Sequence, residues 1–197
     1  MEGGGMIRSL ILASSSPRRK ELLQGLNLPF QTHPSEEDES VPTGTAPREM
    51  VEMLSLRKAK SVASLYGEGL VIGSDTIVVC DRLILGKPRD EDDSARMLSL
   101  IQGRSHFVYT GVAIVEAGTG RSSVAHSKTE VFVKPMDKDK IRRYIQTGEP
   151  NDKAGSYAIQ GIGATLVEKI DGDYFTVVGL PVGLLAEMLE KYGISVI

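Results

Sequence analysis

The sequence has no tryptophan and a single cysteine, Cys80, among 197 residues. One cysteine excludes an intrachain disulfide and fits a reducing compartment, so a cytoplasmic protein is expected. No apolar stretch approaches the ~20 residues that a membrane-spanning helix needs, and no membrane partner is expected. A basic excess is missing too, with 23 Lys and Arg against 26 Asp and Glu for a net charge of −3. Non-specific binders of nucleic-acid polymers are usually basic, because phosphate neutralisation supplies most of their affinity. Aromatic residues make up 5% and do not interleave with basic ones as in a base-stacking platform. His33, His106 and His126 are scattered and show no metal-ligand spacing. Neither G-x-x-x-x-G-K-[ST] nor G-x-S-x-G occurs, which removes the P-loop and the nucleophile elbow. Cys80 lies in no nucleophile motif and reads as core.

What is present is the mix of a globular protein, 41% hydrophobic and 25% charged. The length suits one domain, or two small lobes sharing a sheet. The opening Met1-Glu2-Gly3-Gly4-Gly5-Met6 has neither a basic n-region nor an apolar h-region. It reads as a flexible leader, which puts a single domain at residues 7–197.

Ile7 to Ala13 reads as a buried strand, and Ser16-Pro17 as a helix start, with Ser capping and Pro at the first helical position. Leu22, Leu23 and Leu26 give that helix its apolar face. Residues 34 to 47 form a polar loop. A second helix runs from Pro47 to about Tyr66, with Val51, Leu54, Val62 and Leu65 as its inner stripe. Leu70 to Cys80 and Leu83 to Leu85 predict two strands about a tight turn at Asp81-Arg82. Asp90 to Ile101 and Asp137 to Thr147 predict two further helices. His106 to Glu116 and Ser122 to Val133 predict a hairpin around Gly118-Thr119-Gly120. Ala164 to Ile170 and Tyr174 to Val178 flank Asp171-Gly172 and predict a second hairpin. Pro181 opens a last helix to Tyr192. Strands and helices alternate irregularly with hairpins inserted, which predicts an α/β or α+β fold on a mixed sheet.

Five places can carry chemistry. In Ser14-Ser15-Ser16-Pro17-Arg18-Arg19, a strand feeds a helix N-terminus, where N–H groups and a partial positive charge make an anion site. Hydroxyls of Ser14 and Ser16 add donors, and Arg18 and Arg19 add forked charge suited to phosphate. The plainer alternative is a capped surface helix with two solvated arginines. Asp75 lies inside the apolar strand Val71 to Val79, where an unpaired carboxylate is costly and Asp is disfavoured. Such a carboxylate can hold Mg²⁺ or accept a proton from water, or it can simply bind backbone. Lys58 falls on the apolar stripe of the second helix and Lys87 sits between Gly86 and Pro88. Together they can neutralise a triphosphate; separately each can be a snorkelling lysine. Glu36, Glu37, Asp38 and Glu39 form an acidic loop, which can simply be solvated, or any one member of which can share a metal with Asp75. Residues 151 to 161 are a polar, glycine-punctuated run that by itself reads first as a turn-rich connector, and in which Gln160 can offer both donor and acceptor to a base edge.

These segments together resemble the Maf family of nucleoside triphosphate pyrophosphatases. The resemblance rests on Leu12-Ala13-Ser14-Ser15-Ser16-Pro17-Arg18-Arg19, Lys58-Ala59, Gly73-Ser74-Asp75-Thr76, Gly86-Lys87-Pro88, Asp152-Lys153-Ala154-Gly155 and Ile159-Gln160-Gly161. It implies a fold like that of the inosine triphosphate pyrophosphatases, an elongated mixed β-sheet flanked by helices with a cleft between two lobes. It implies hydrolysis between the α and β phosphates, dependent on Mg²⁺ or Mn²⁺, and a homodimer. Carried over by position, Asp75 resembles the catalytic carboxylate, and Ser14, Arg18, Lys58 and Lys87 resemble phosphate-binding or catalytic positions. Glu39 is the best match for an acidic residue at the metal. Arg19, Thr76 and Gln160 resemble the branch acting on dTTP and UTP rather than on 7-methyl-GTP. Ser156 departs from the Ala more common there, and its hydroxyl is expected to bear on base preference. Two alternatives stand beside this reading: a nucleotide-binding regulator of cell division without turnover, and a phosphatase or phosphoryl transferase.

Overall fold

The computed structural model describes residues 9–197, so the leader and the first residues of the expected opening strand lie outside it. The elements are β1 (Leu10–Leu12), α1 (Pro17–Gln24), β2 (Phe30–Thr32), α2 (Pro47–Ala63), β3 (Leu70–Cys80), β4 (Leu83–Leu85), α3 (Glu91–Ile101), β5 (Ser105–Glu116), β6 (Ser122–Val133), α4 (Lys138–Gln146), β7 (Val167–Asp171), α5 (Tyr174–Val178) and α6 (Val182–Glu190). Three 3₁₀ turns, Glu149–Asp152, Ala154–Ser156 and Gly161–Leu166, fill the run between α4 and β7.

The strands make one mixed seven-stranded sheet in the order β2-β1-β3-β5-β6-β7, with β4 also on β3. β1 runs parallel to β2 and β3, and the remaining pairings are antiparallel. This is the expected mixed α/β sheet with helices around it. One edge of β3 pairs with β5 from Leu70 to Val79. The other edge is shared: β1 takes Leu70 to Ile72 and β4 takes Val78 to Cys80. Gly73 to Ile77 therefore have no strand on that side among the described residues, and the sheet has a gap at its centre.

Two glycines let α2 lie directly on the sheet beside that gap. A Cβ on Gly73 would stand 2.2 Å from the Ser55 carbonyl, and one on Gly111, opposite Asp75, 2.2 Å from the Val51 carbonyl. Any larger side chain would lift the helix away. The apolar core falls into separate clusters. One gathers Met97, Leu98, Ile101, Ile141 and Tyr144 of α3 and α4 against the far ends of β3, β5 and β6. Another joins β1, α1 and α6 around Leu12, Leu23, Ile72, Leu185 and Leu189. A third lies beneath α2 around Ala59, Val62 and Val71.

Two expectations are corrected. Tyr174 to Val178 is a short helix, not the second strand of a hairpin, because the Asp173 carboxylate caps it by accepting the Thr176 N–H at 2.6 Å. Ala164 to Leu166 belong to a 3₁₀ turn, so β7 starts only at Val167. In addition, α2 ends at Ala63, three residues short of Tyr66. β2, a short and mostly polar edge strand, carries no alternating pattern and escapes a reading of the sequence.

Buried His106 shares a hydrogen bond of 2.7 Å between Nε2 and the Tyr157 hydroxyl, while its Nδ1 has no partner among the described residues. Burial pushes its pKa down to about 4. The imidazole is thus neutral in the folded protein over a range where the unfolded chain, near 6.5, takes up a proton. Stability is present in full above about 6.5 and is lost as pH falls toward 4, by on the order of 3 kcal/mol. Denaturant melts across this window are expected to show that slope in the parent protein. His106→Gln, whose carboxamide can hydrogen-bond Tyr157 as donor or acceptor and does not titrate, should remove it; an unchanged slope would assign the acid sensitivity to other groups.

Candidate active site

The gap in β3 is where the expected residues meet. β1 ends at Leu12, and the chain turns through Ser14 to Ser16 into α1. Ser16 is the N-cap and accepts the Arg19 N–H at 3.4 Å, with Pro17 opening the helix. Ser14 Oγ accepts from the Ser16 N–H at 3.1 Å and from Arg19 Nη1 at 3.5 Å. With these acceptors engaged, each hydroxyl keeps its own hydrogen to offer an anion. Arg18 follows in the first turn and lies 3.6 Å from the Asp152 carboxylate across the opening.

On the α2 side of the sheet, Asp75 is buried and its Oδ1 accepts from Lys58 Nζ at 2.6 Å. The same ammonium donates to Glu39 Oε1 at 2.7 Å. Glu39 is therefore the member of the acidic loop that faces Asp75, and the Lys58 hydrogen bond holds its carboxyl below the usual range against an opposing effect of burial. Arg57 secures this loop by donating to the carbonyls of Asp38 and Ser40 at 2.7 and 2.8 Å.

On the opposite side of the sheet lies Thr76. Arg19 reaches it through Nη2 at 3.1 Å and donates through Nε to the Gly179 carbonyl at 2.8 Å. Thr76 Oγ1 also shares a hydrogen bond of 2.9 Å with Thr110. Loss of solvent pushes the Arg19 pKa down from its usual value, with Asp75 nearby opposing, and the guanidinium stays charged.

The far side of the opening comes from the Lys87 loop and the run 152 to 160. The Gly155 N–H donates to the Gly86 carbonyl at 3.1 Å and ties these two segments together. Gly155 takes φ 72 and packs so closely on Val78 that a Cβ would stand 2.9 Å from it. Ser156 does not line the pocket. Its hydroxyl is buried and hydrogen-bonded to Ser94 on α3, so the expected direct bearing on base preference has no contact behind it.

The pocket at this opening measures about 310 Å³ and is lined by Ser14, Ser16, Arg18, Arg19, Glu39, Lys58, Thr76, Lys87 and Gln160. Every site residue expected from the sequence is thus at the surface of one cavity, except Asp75, which sits behind Lys58. Asp152, Lys153 and Ser35 also line it, and the sequence reading assigned them no role. Lys153 had a signal, a cation within the Asp152-Lys153-Ala154-Gly155 motif. Its Nζ donates to the Glu149 carbonyl at 2.7 Å and to Asp152 at 2.8 Å. That second bond is the main cause holding the Asp152 pKa low.

A family model described as "Maf-like protein" matches residues 9–192. The chain belongs to the Maf-like family. Within it, the chain is 49% identical over 191 residues to the dTTP/UTP pyrophosphatase of Pelotomaculum thermopropionicum, covering 97% of this chain and all of that one. It is 51% identical over 187 residues to the dTTP/UTP pyrophosphatase of Moorella thermoacetica, covering 95% and 96%. Among solved structures, the Staphylococcus aureus Ham1 protein overlaps with a TM-score of 0.47 at 12% identity, covering 81% of this chain and 80% of that one. A likeness that slight bears on no point of chemistry.

Proposed function

We propose that this Maf-like protein hydrolyses dTTP and UTP between the α and β phosphates, giving the nucleoside monophosphate and pyrophosphate. One observation carries the reading. In a chain of net charge −3, five cationic side chains, Arg18, Arg19, Lys58, Lys87 and Lys153, converge on a single pocket beside three carboxylates, Glu39, Asp75 and Asp152. That concentration of charge suits a polyphosphate, and the neighbouring carboxylates suit work on water and metal.

In this reading the triphosphate lies over the start of α1, where Ser14 and Ser16 offer hydroxyl protons. Arg18, Lys58 and Lys87 stabilise the charge that develops on the leaving pyrophosphate. Asp75 orients or deprotonates the attacking water. Arg19, Thr76 and Gln160 bias the pocket toward a pyrimidine base. Asp75 and Glu39 fit a hard divalent cation, because their oxygens already converge on one positive charge, the Lys58 ammonium. Mg²⁺ commonly takes one or two carboxylates together with substrate phosphate and water. The ion, when bound, would polarise phosphoryl oxygens. The same reading takes residues 7–197 as one domain, acting as a homodimer in the cytoplasm. No helix among the described residues is long and apolar enough to cross a membrane.

The test is a panel of nucleoside triphosphates, including 7-methyl-GTP and 5-methyl pyrimidine nucleotides, with Mg²⁺ or Mn²⁺ and detection of both pyrophosphate and orthophosphate. Equimolar monophosphate and pyrophosphate from dTTP and UTP is the expected result. Orthophosphate would indicate a phosphatase, and binding without turnover across the panel would indicate a regulator.

A further inference from the structure

Gln160 stands in the pocket on a stretch of chain that belongs to no helix or strand, just before the 3₁₀ turn that opens at Gly161. Irregular backbone of this kind holds a side chain in place only if its own polar groups are tied down. Here one pair of side chains does the tying. Tyr144, on α4, accepts the Ala158 N–H on its hydroxyl oxygen at 3.1 Å and donates its proton to Glu149 Oε2 at 2.6 Å. The Glu149 carboxylate accepts the Gly163 N–H on Oε2 at 2.8 Å and the Ile162 N–H on Oε1 at 2.9 Å. The backbone before Gln160 and the backbone after it therefore close on the same phenol–carboxylate unit. Gly161 completes the fit: it takes φ 64, and a Cβ there would stand 2.3 Å from Glu149 Oε1. Neither Tyr144 nor Glu149 lines the pocket.

We propose that Glu149, bridged by Tyr144, is the positioning residue that sets the Gln160 carboxamide against the substrate base and so governs base selectivity. The proposal rests on the reading of Gln160 as a base contact. The carboxylate is suited to the task because it only accepts, and three donors converge on its two oxygens. Its main-chain carbonyl also receives Lys153, so the same residue braces a pocket cation. Glu149→Gln preserves size but turns one acceptor into an amide donor facing backbone N–H groups. Tyr144→Phe preserves the ring and removes the bridge.

Two measurements test this in the full-length protein. In the substrate-free state, hydrogen exchange at the amides of Ala158, Ile162 and Gly163 is expected to speed up by about tenfold or more in Glu149→Gln. In steady-state kinetics, the ratio of kcat/KM for dTTP over dCTP is expected to fall by about tenfold, through KM, with kcat for dTTP within about threefold of the parent. Tyr144→Phe should move both in the same direction, and it carries both measurements if Glu149→Gln does not fold. Unchanged exchange would overturn the clip. Faster exchange, or a lowered melting temperature, with KM and the ratio intact would reduce Glu149 to a stabilising residue and overturn its role in selectivity. Gln160→Ala separates the underlying reading: if that variant keeps the parent ratio, Gln160 does not read the base and the selectivity claim falls with it, whatever the exchange shows.

Discussion

Asp75→Asn is expected to lower turnover of dTTP by about 10²–10⁴-fold while leaving the fold intact. The carboxylate sits buried in the middle of the largely apolar β3, between Ser74 and Thr76, with Lys58 Nζ at 2.6 Å as its cation. Asparagine keeps the volume and still offers Lys58 an oxygen, so the melting temperature should shift by only a few degrees. It cannot take a proton from water, and it brings no charge to a metal. The two losses are told apart by titrating Mn²⁺ into parent and variant. Unchanged metal affinity with lost turnover points to proton transfer or water orientation, and weakened affinity points to coordination. Parent-level turnover in the purified variant would remove Asp75 from the mechanism altogether.

The second large effect is expected from Lys58→Met. Methionine suits the apolar stripe between Leu54 and Val62 and has about the reach of lysine without its charge. Its loss should reduce kcat/KM for dTTP by about 10²–10³-fold, the usual effect of removing one preorganised group that answers developing charge. A second consequence has the opposite sign. In the substrate-free protein the Lys58 ammonium already stands between Asp75 and Glu39, at 2.6 and 2.7 Å. Removing it leaves two facing carboxylates, so substrate-free Lys58→Met should bind Mn²⁺ more tightly than the parent, read by electron paramagnetic resonance. The cost in stability without metal should be about 1–3 kcal/mol, below the range for a fully buried pair because Glu39 is exposed. Parent-level kcat/KM would refute the phosphate role, and unaltered Mn²⁺ binding would refute the competition.

Much of this could be read from the chain because the signals are local. Ser16-Pro17, Asp90 and Asp137 mark helix starts; Ser16 caps as expected, and the Asp90 and Asp137 side chains cap their helices as well. Asp81 and Arg82 both take positive φ, 49 and 67, as the two-residue turn between β3 and β4 requires. Asp75 and Lys58 stood out because a charge on an apolar element needs a partner, and each is the other's partner. What escaped was decided at a distance. Tyr174 to Val178 is rich in aromatic and β-branched residues, a strand signal, yet the Asp173 cap and Gly179 at φ 128 make it a helix. That helix delivers the Gly179 carbonyl to Arg19, 160 positions earlier in the chain. The bracing of Gln160 was hidden for the same reason, since nothing local shows that Glu149 folds back onto the amides of Ile162 and Gly163.

The gap along β3 has a consequence for how this protein keeps company with others. An uncovered strand edge offers hydrogen bonds to any extended chain that drifts past, which is how proteins become seeds for clumping. Here the uncovered stretch, Gly73 to Ile77, spans only about 17 Å and is stopped by β1 at one end and β4 at the other. A stray strand would collide with one of those neighbours before it could lay down a ladder. The opening admits a small molecule and turns away a polypeptide, so the molecule can leave the centre of its sheet unpaired without inviting aggregation.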